Sequence, residues 1–225
     1  MSHQRIVIVA NGHLPDLESA KPLFHKDDFI IAADGGANYL TEMGILPNLL
    51  IGDLDSVHAE VLRVLENEAV QIIKHPAGKD ETDLELAVYA AVAKDADEIL
   101  VIGALGGRLD QTLGNLSLLS APAFAGRRIR LDDGEQEAFF CRKQVQVRGR
   151  SGDTVSLLPW GVPVSGIHTE GLRWPLSNET LYPEKTRGIS NALTGESASI
   201  QIRSGLLLVI HQRSIINRKS NWSSI

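Results

Sequence analysis

The sequence predicts an α/β fold in two parts: an amino-terminal, mostly parallel sheet flanked by helices over residues 1–135, then a carboxy-terminal all-β sandwich over 136–225. Three observations carry this. Short apolar runs rich in β-branched residues alternate with stretches of helical spacing through the first part of the chain. After about Gly134 the helical stretches stop, and short segments punctuated by glycine, proline, asparagine and serine take over. Finally, Asp34, Asp53, Asp55, Asp83 and Asp110 fall in glycine- or turn-rich junctions just after apolar runs. A parallel sheet gathers the carboxyl ends of its strands on one edge, where α/β folds bind their ligands.

In chain order, the predicted strands of the first domain lie at 6–9, 29–33, 49–51, 70–73, 99–102 and 129–131, giving a βαβ series with a two-sided sheet. The sharpest helix start is Thr82-Asp83-Leu84-Glu85, a capping box after which Leu84, Val88 and Ala91 recur on one face. A second helix is expected from near Gln111. In the second domain the strands are expected at 144–147, 155–158, 162–167, 197–202 and 206–210, arranged as a sandwich. From His211 the tail is polar, and its sequence leaves open whether it frays or covers an edge.

A chain of 225 residues with 43% hydrophobic composition can bury one large core or two modest ones. The formal charge of −6, with scattered lysine and arginine, argues against a nucleic-acid or anionic-membrane surface and for a small ligand. The apolar stretch at 6–10 is too short for a signal or membrane segment, and the lone Cys141 has no intrachain partner, which together point to a cytoplasmic protein. Cys141, beside Ala138, Phe139 and Phe140, reads as core or strand packing. His3, His13, His25, His58, His75, His168 and His211 show no paired zinc spacing and read as surface or capping residues. No Walker-type phosphate loop, early Gly-x-Gly-x-x-Gly or Gly-x-Ser-x-Gly elbow is present.

Each acidic motif has a structural alternative. In Asp34-Gly35-Gly36 the glycines permit positive φ and a close backbone approach to phosphate, although the tripeptide alone is most often a turn. Asp53 and Asp55 in Gly52-Asp53-Leu54-Asp55-Ser56 can share a hard cation, whereas an N-cap by Asp55 or Ser56 explains only one of the two acids. Asp83, in Lys79-Asp80-Glu81-Thr82-Asp83, would sit well at a helix start without any function. The turn before Asp110 offers free amides and the guanidinium of Arg108 to an anion, while Asp110 itself could serve as a cap. Recurrence at four strand ends favours a combined divalent-metal and phosphate site.

Taken in order, Asp34-Gly35-Gly36-Ala37-Asn38, Pro47 leading into Gly52-Asp53-Leu54-Asp55-Ser56, Lys79-Asp80-x-Thr82-Asp83, Gly106-Gly107-Arg108-x-Asp110-Gln111 and Gly114-Asn115 resemble the signature series of the thiamine pyrophosphokinase family. The likeness continues through Val155-Ser156-Leu157-Leu158-Pro159, Thr169-x-Gly171-Leu172-x-Trp174-x-Leu176 and Gly188-Ile189-Ser190-Asn191, leaving out only the tail after about His211. The resemblance implies a homodimer with active sites between subunits, and transfer of the diphosphoryl group of ATP to the hydroxyl of thiamine. It implies magnesium on Asp53, Asp55 and Asp83. Asp34, Gly35, Gly36, Lys79, Gly107, Arg108 and Asp110 are implied on the ATP side, and Ser190 and Asn191 on the thiamine side. Where some members place a tryptophan against the thiamine rings in the last strand, this chain has Leu208. Trp174 reads as a domain-packing aromatic rather than a substitute for it.

Such a reaction needs the acceptor alcohol held in line with departing AMP and the triphosphate charge neutralised. A carboxylate crowded by other acids can serve as general base, and Asp83 and Asp110 are both candidates. Two other functions fit parts of the pattern: a magnesium-dependent phosphohydrolase using Asp53 and Asp55, and a non-enzymatic nucleotide-binding module.

Overall fold

The computed structural model describes residues 4–214, and the chain divides into two compact units meeting at Phe140 and Cys141. His3 and the tail from residue 215 lie outside the described residues, and with them the question of what the tail does.

In the first unit, strands β1 (Arg5–Val9), β2 (Phe29–Ala33), β3 (Leu49–Gly52), β4 (Gln71–Lys74), β5 (Glu98–Ile102), β6 (Arg128–Asp132) and β7 (Gln136–Cys141) stand in the order β7-β6-β5-β1-β2-β3-β4. All pairs are parallel except β6 with β7, a hairpin in which Leu131 faces Ala138. The strands at the middle of this sheet are buried along nearly their whole length, which is why they read as unbroken apolar runs rather than alternating ones. The helices are α1 (Leu17–Ala20), α2 (Gly36–Glu42), α3 (Ala59–Asn67), α4 (Asp83–Ala93) and α5 (Leu109–Ser120). On α3 only Val61 and Leu65 are buried, four residues apart on one stripe. At the capping box, Thr82 Oγ1 accepts the Glu85 amide at 3.1 Å. The other proposed caps are not used. Helix α3 starts at Ala59 behind His58, and α5 starts at Leu109 behind Arg108, two residues before Gln111.

The second unit contains β8 (Gln144–Arg148), β9 (Thr154–Pro159), β10 (Val164–Glu170), β11 (Ser177–Leu181), β12 (Asn191–Ala192), β13 (Ser197–Gln201) and β14 (Leu207–Gln212). One antiparallel sheet runs β11-β10-β13-β8, and β12, β9 and β14 pair antiparallel in that order. Val155 and Leu157 on β9, and Ala198 and Ile200 on β13, alternate with more exposed neighbours, so each strand buries one face. Strand β11 is absent from the sequence reading because Ser-Asn-Glu-Thr-Leu carries no apolar alternation; it lies at a sheet edge, where pairing with β10 alone suffices.

Cys141 is fully buried with its sulfur 3.8 Å from the Ile200 carbonyl, and burial pushes the thiol up to about 11, consistent with packing and not with nucleophilic chemistry. His211 corrects the surface assignment of the histidines. It is fully buried, with Nε2 3.1 Å from Asp153 Oδ2, because β14 carries it inward beside an aspartate that needs donors. No helix among the described residues is long and apolar enough to cross a membrane.

Candidate active site

Parallel pairing brings the carboxyl ends of β1, β2, β3 and β5 to one edge of the first unit, where they border a cleft of about 560 Å³. Asp34 ends β2, Asp53 follows β3, Asp83 opens α4, and the Gly106-Gly107-Arg108 turn leads from β5 into α5; all line the cleft. Asp34 adopts a left-handed backbone with φ +47°, a conformation costly for a residue with a side chain, and its amide is tied to the Ile51 carbonyl at 2.9 Å. Gly52 lies beside it. A Cβ there would stand 3.0 Å from Asp34 Cβ and 3.1 Å from Asp83 Oδ1, so only glycine lets these two carboxylates approach.

Asp34, Asp53 and Asp83 each offer an oxygen, and the three atoms lie within 4.8 Å of one another. Asp34 is only 6% exposed, and neither its Oδ1 nor Asp83 Oδ1 has a hydrogen-bond partner among the described residues. Buried carboxylate oxygens left without donors are costly unless a cation serves them. Lys79 Nζ stands 2.8 Å from Asp83 Oδ1 and 3.9 Å from Asp53 Oδ2, so an ammonium ion-pairs with two of the three acids. The contact with Asp83 raises the Lys79 pKa, burial opposes it, and the charges of Asp83, Asp53 and Asp34 add to the rise.

Asp55 stands outside this cluster. Its side chain is exposed, its amide donates to Asp53 Oδ1 at 3.1 Å, and its Oδ1 accepts the Ser56 hydroxyl at 2.9 Å, so in this structure it shapes the loop that presents Asp53. Asp110 is also exposed and lies across the turn in a two-point pair with Arg108, at 3.1 and 2.6 Å. Hydrogen bonding to Arg108 holds the Asp110 carboxyl below its ordinary range.

The glycines after Asp34 do a different job from the one their sequence suggests. Gly35 has φ −60°, and the positive φ belongs to Asp34 itself. A Cβ on Gly36 would collide with the Val9 carbonyl, so this glycine lets α2 press against β1, and neither glycine lines the cleft. Asn38 ties the helix to the acidic loop by donating to the Ser56 carbonyl at 2.9 Å and accepting the His58 amide at 3.0 Å.

Asn11 and Gly12, which the sequence motifs do not include, and His13, read from sequence as a surface or capping residue, follow β1 and line the same cleft. The Gly12 amide donates to the Gly103 carbonyl at 2.7 Å, and the Tyr39 hydroxyl donates to the Gly12 carbonyl at 3.0 Å. The signal was present as Asn-Gly directly after the first strand, but a search for acids at strand ends does not register it. Asn115, noted only as part of a motif, also lines the cleft and donates to the Ala104 carbonyl at 2.9 Å.

In the second unit Ser190 is exposed with φ +59°, and its amide donates to Ser156 Oγ at 3.1 Å. Asn191 is buried, and both ends of its side-chain amide are hydrogen-bonded. Oδ1 accepts the amides of Trp174 at 3.0 Å and Ala192 at 2.9 Å, and Nδ2 donates to the Trp174 carbonyl at 2.7 Å. Trp174 corrects the domain-packing expectation: its backbone is held by Asn191, but the residue is 56% exposed and the Arg173 guanidinium lies 5.1 Å from its ring centre. Leu208 is buried in β14 opposite Leu158.

Two family models match the chain: "Thiamin pyrophosphokinase, catalytic domain" over residues 20–131 and "Thiamin pyrophosphokinase, vitamin B1 binding domain" over residues 142–207. Thiamine pyrophosphokinase of Bacillus subtilis (strain 168) is 30% identical over 212 residues, spanning 91% of this chain and 97% of that protein. Thiamine pyrophosphokinase 1 of Oryza sativa subsp. japonica is 29% identical over 234 residues, spanning 92% and 87% respectively. Among solved structures, that of the Bacillus subtilis thiamine pyrophosphokinase superimposes with a TM-score of 0.85 at 27% identity, covering 94% of this chain and 100% of that one. The Geobacillus thermodenitrificans enzyme gives 0.82 at 28%, covering 95% and 99%.

Proposed function

The chain belongs to the thiamine pyrophosphokinase family, and from that premise we propose that it transfers the diphosphoryl group of ATP to the hydroxyl of thiamine, giving AMP and thiamine diphosphate. The observation that carries the reading is the cage of Asp34, Asp53 and Asp83, inside the stretch matched by the catalytic-domain model, with the buried Asp34 Oδ1 lacking a partner among the described residues.

An all-oxygen, anionic donor set of this kind suits a hard divalent cation, and magnesium is our choice for a nucleotide enzyme. Asp34, Asp53 and Asp83 would hold it, with Asp55 supporting Asp53 through the loop. When bound, it would neutralise phosphate oxygens of the triphosphate. Arg108, exposed at the cleft rim after Gly106 and Gly107, supplies a planar two-point donor for phosphate, and the amides opening α5 lie beside it. Its pairing with Asp110 keeps that guanidinium aimed along the turn and makes Asp110 a poor base. Ser190 and the exposed Trp174 face are our candidates for thiamine contact, with Asn191 holding the Trp174 backbone in place.

The proposal includes a cytoplasmic homodimer. Leu109, 72% exposed, and Leu113, one turn later on α5, give the first unit an uncovered apolar stripe suited to association. Light scattering should return a dimer, and a fully active monomer would refute that part.

The reaction itself is tested by incubating the protein with ATP, magnesium and thiamine. AMP and thiamine diphosphate should appear in equal amounts, dependent on both magnesium and thiamine. ADP with thiamine monophosphate, or nucleotide consumption indifferent to thiamine, would overturn the assignment. A phosphohydrolase or a non-catalytic nucleotide module is not favoured, because the two family models together span both units.

A further inference from the structure

We propose that Lys79 is an exchangeable counter-ion: its ammonium fills the acidic cage before the divalent cation arrives and passes to the nucleotide phosphates when the cation binds. This rests on the reading that Asp34, Asp53 and Asp83 hold such a cation. Nζ contacts one cage carboxylate at 2.8 Å and lies 3.9 Å from a second, in a side chain only 11% exposed, so the ammonium sits against two of the three acids. Even so, it leaves Asp34 Oδ1 without a hydrogen-bond partner among the described residues. One monovalent ammonium is a poor substitute for a cation that three carboxylates can surround.

The two cations would compete for the same carboxylate oxygen and repel each other. A divalent ion seated on Asp83 Oδ1 at about 2.1 Å would lie within about 5 Å of Nζ if Lys79 stayed in place. The chain is built so that the lysine yields. Asp83 is fixed as the first residue of α4 behind the Thr82 cap, and Asp34 is pinned by its backbone bond to Ile51. Lys79 lies in the irregular segment between β4 and α4, next to Gly78, which has open space around it. Its four-carbon stem can carry the ammonium into the cleft, where phosphate oxygens offer a replacement partner.

Two measurable consequences follow from that exchange. The cation alone should bind weakly because it must displace Lys79, and cation and nucleotide should bind with mutual reinforcement because the phosphates receive the displaced charge. Manganese, followed by the loss of its free-ion paramagnetic resonance signal, should bind Lys79→Met at least about tenfold more tightly than the parent protein without nucleotide. The same variant should bind ATP more weakly, and its manganese affinity should no longer rise when ATP is present. Lys79→Arg should retain weak manganese binding. Lys79→Gln provides the same neutralisation if Lys79→Met does not give a cooperative thermal melt. Manganese binding to the neutral variants that is no tighter than to the parent would overturn the exchange. Because this titration contains no thiamine, failure of the product assay would refute the reaction without deciding the exchange, and the converse also holds.

Discussion

The first unit buries Asp34, Asp132 and Asp133 and the second buries Asp153, and of these Asp34 and Asp153 are treated in opposite ways. Asp153 in the second unit receives the amides of Arg150 and Ser214, each at 2.8 Å, and stands 3.1 Å from the ring of His211. Asp34 in the first unit is also buried, yet has a strained backbone and an oxygen with no donor among the described residues. A fold gains stability from a buried charge only when hydrogen bonds replace the lost water. Asp153 is therefore part of the scaffold. Asp34 is held at a cost that makes sense if an absent ligand completes its shell.

The contrast is broken most directly by neutralising one acid from each unit. Asp53→Asn and Asp34→Asn should each lower turnover by about 10³-fold, the scale seen when a preorganised charge-stabilising group is removed. Neither should lower the melting temperature, because each relieves repulsion among close carboxylates. A large loss of stability in Asp34→Asn would show that the cluster is structural and dissolve the contrast.

Asp153→Asn should do the reverse, destabilising the fold by about 2–3 kcal/mol, since an amide nitrogen would face donors the carboxylate now accepts, while substrates added below the melting transition should still be turned over. The pH dependence has a definite sign. Burial pushes the Asp153 carboxyl up, but the bonds from Ser214, Arg150 and His211 outweigh it and hold the pKa at about 2. A group depressed in this way stabilises the fold fully above its unfolded pKa, near 4, and loses that contribution as pH falls toward 2. The unfolding free energy from denaturant titration should therefore drop between about pH 4 and 2, by about 2 kcal/mol more in the parent than in Asp153→Asn.

Much of the first unit was legible because a two-sided parallel sheet writes itself as apolar runs, and because acids at the ends of those runs converge by topology alone. Which acids converge was not legible. Asp53 and Asp55 look like a pair in sequence, but residues two apart share a site only if the strand continues regularly, and Leu54 turns the chain with φ +70°. Asp34 joins Asp53 and Asp83 through the register of β2 on β3 and the missing side chain of Gly52, neither of which has a local signal. The Asn11-Gly12-His13 turn escaped a search keyed to carboxylates. In the second unit, the pairing of Asp153 with His211 spans 58 residues, and only the folded sheet reveals it.

The smallest effects sharpen the contrast inside the second unit, where the adjacent residues Ser190 and Asn191 repeat it in miniature. Asn191 is buried and uses both ends of its side-chain amide on the backbone of Trp174 and Ala192, so Asn191→Ala should cost about 1–2 kcal/mol of stability by leaving those groups unpaired. Ser190 is exposed, and the bond that anchors it uses its backbone amide, which a substitution at the side chain leaves in place. Ser190→Ala should thus shift stability by no more than about 0.5 kcal/mol. If its hydroxyl meets thiamine, the variant should raise the KM for thiamine several-fold with kcat nearly unchanged, as expected for loss of uniform binding. An unchanged KM in Ser190→Ala, together with a raised one in Asn191→Ala, would move the contact to Trp174, the residue that Asn191 holds in place.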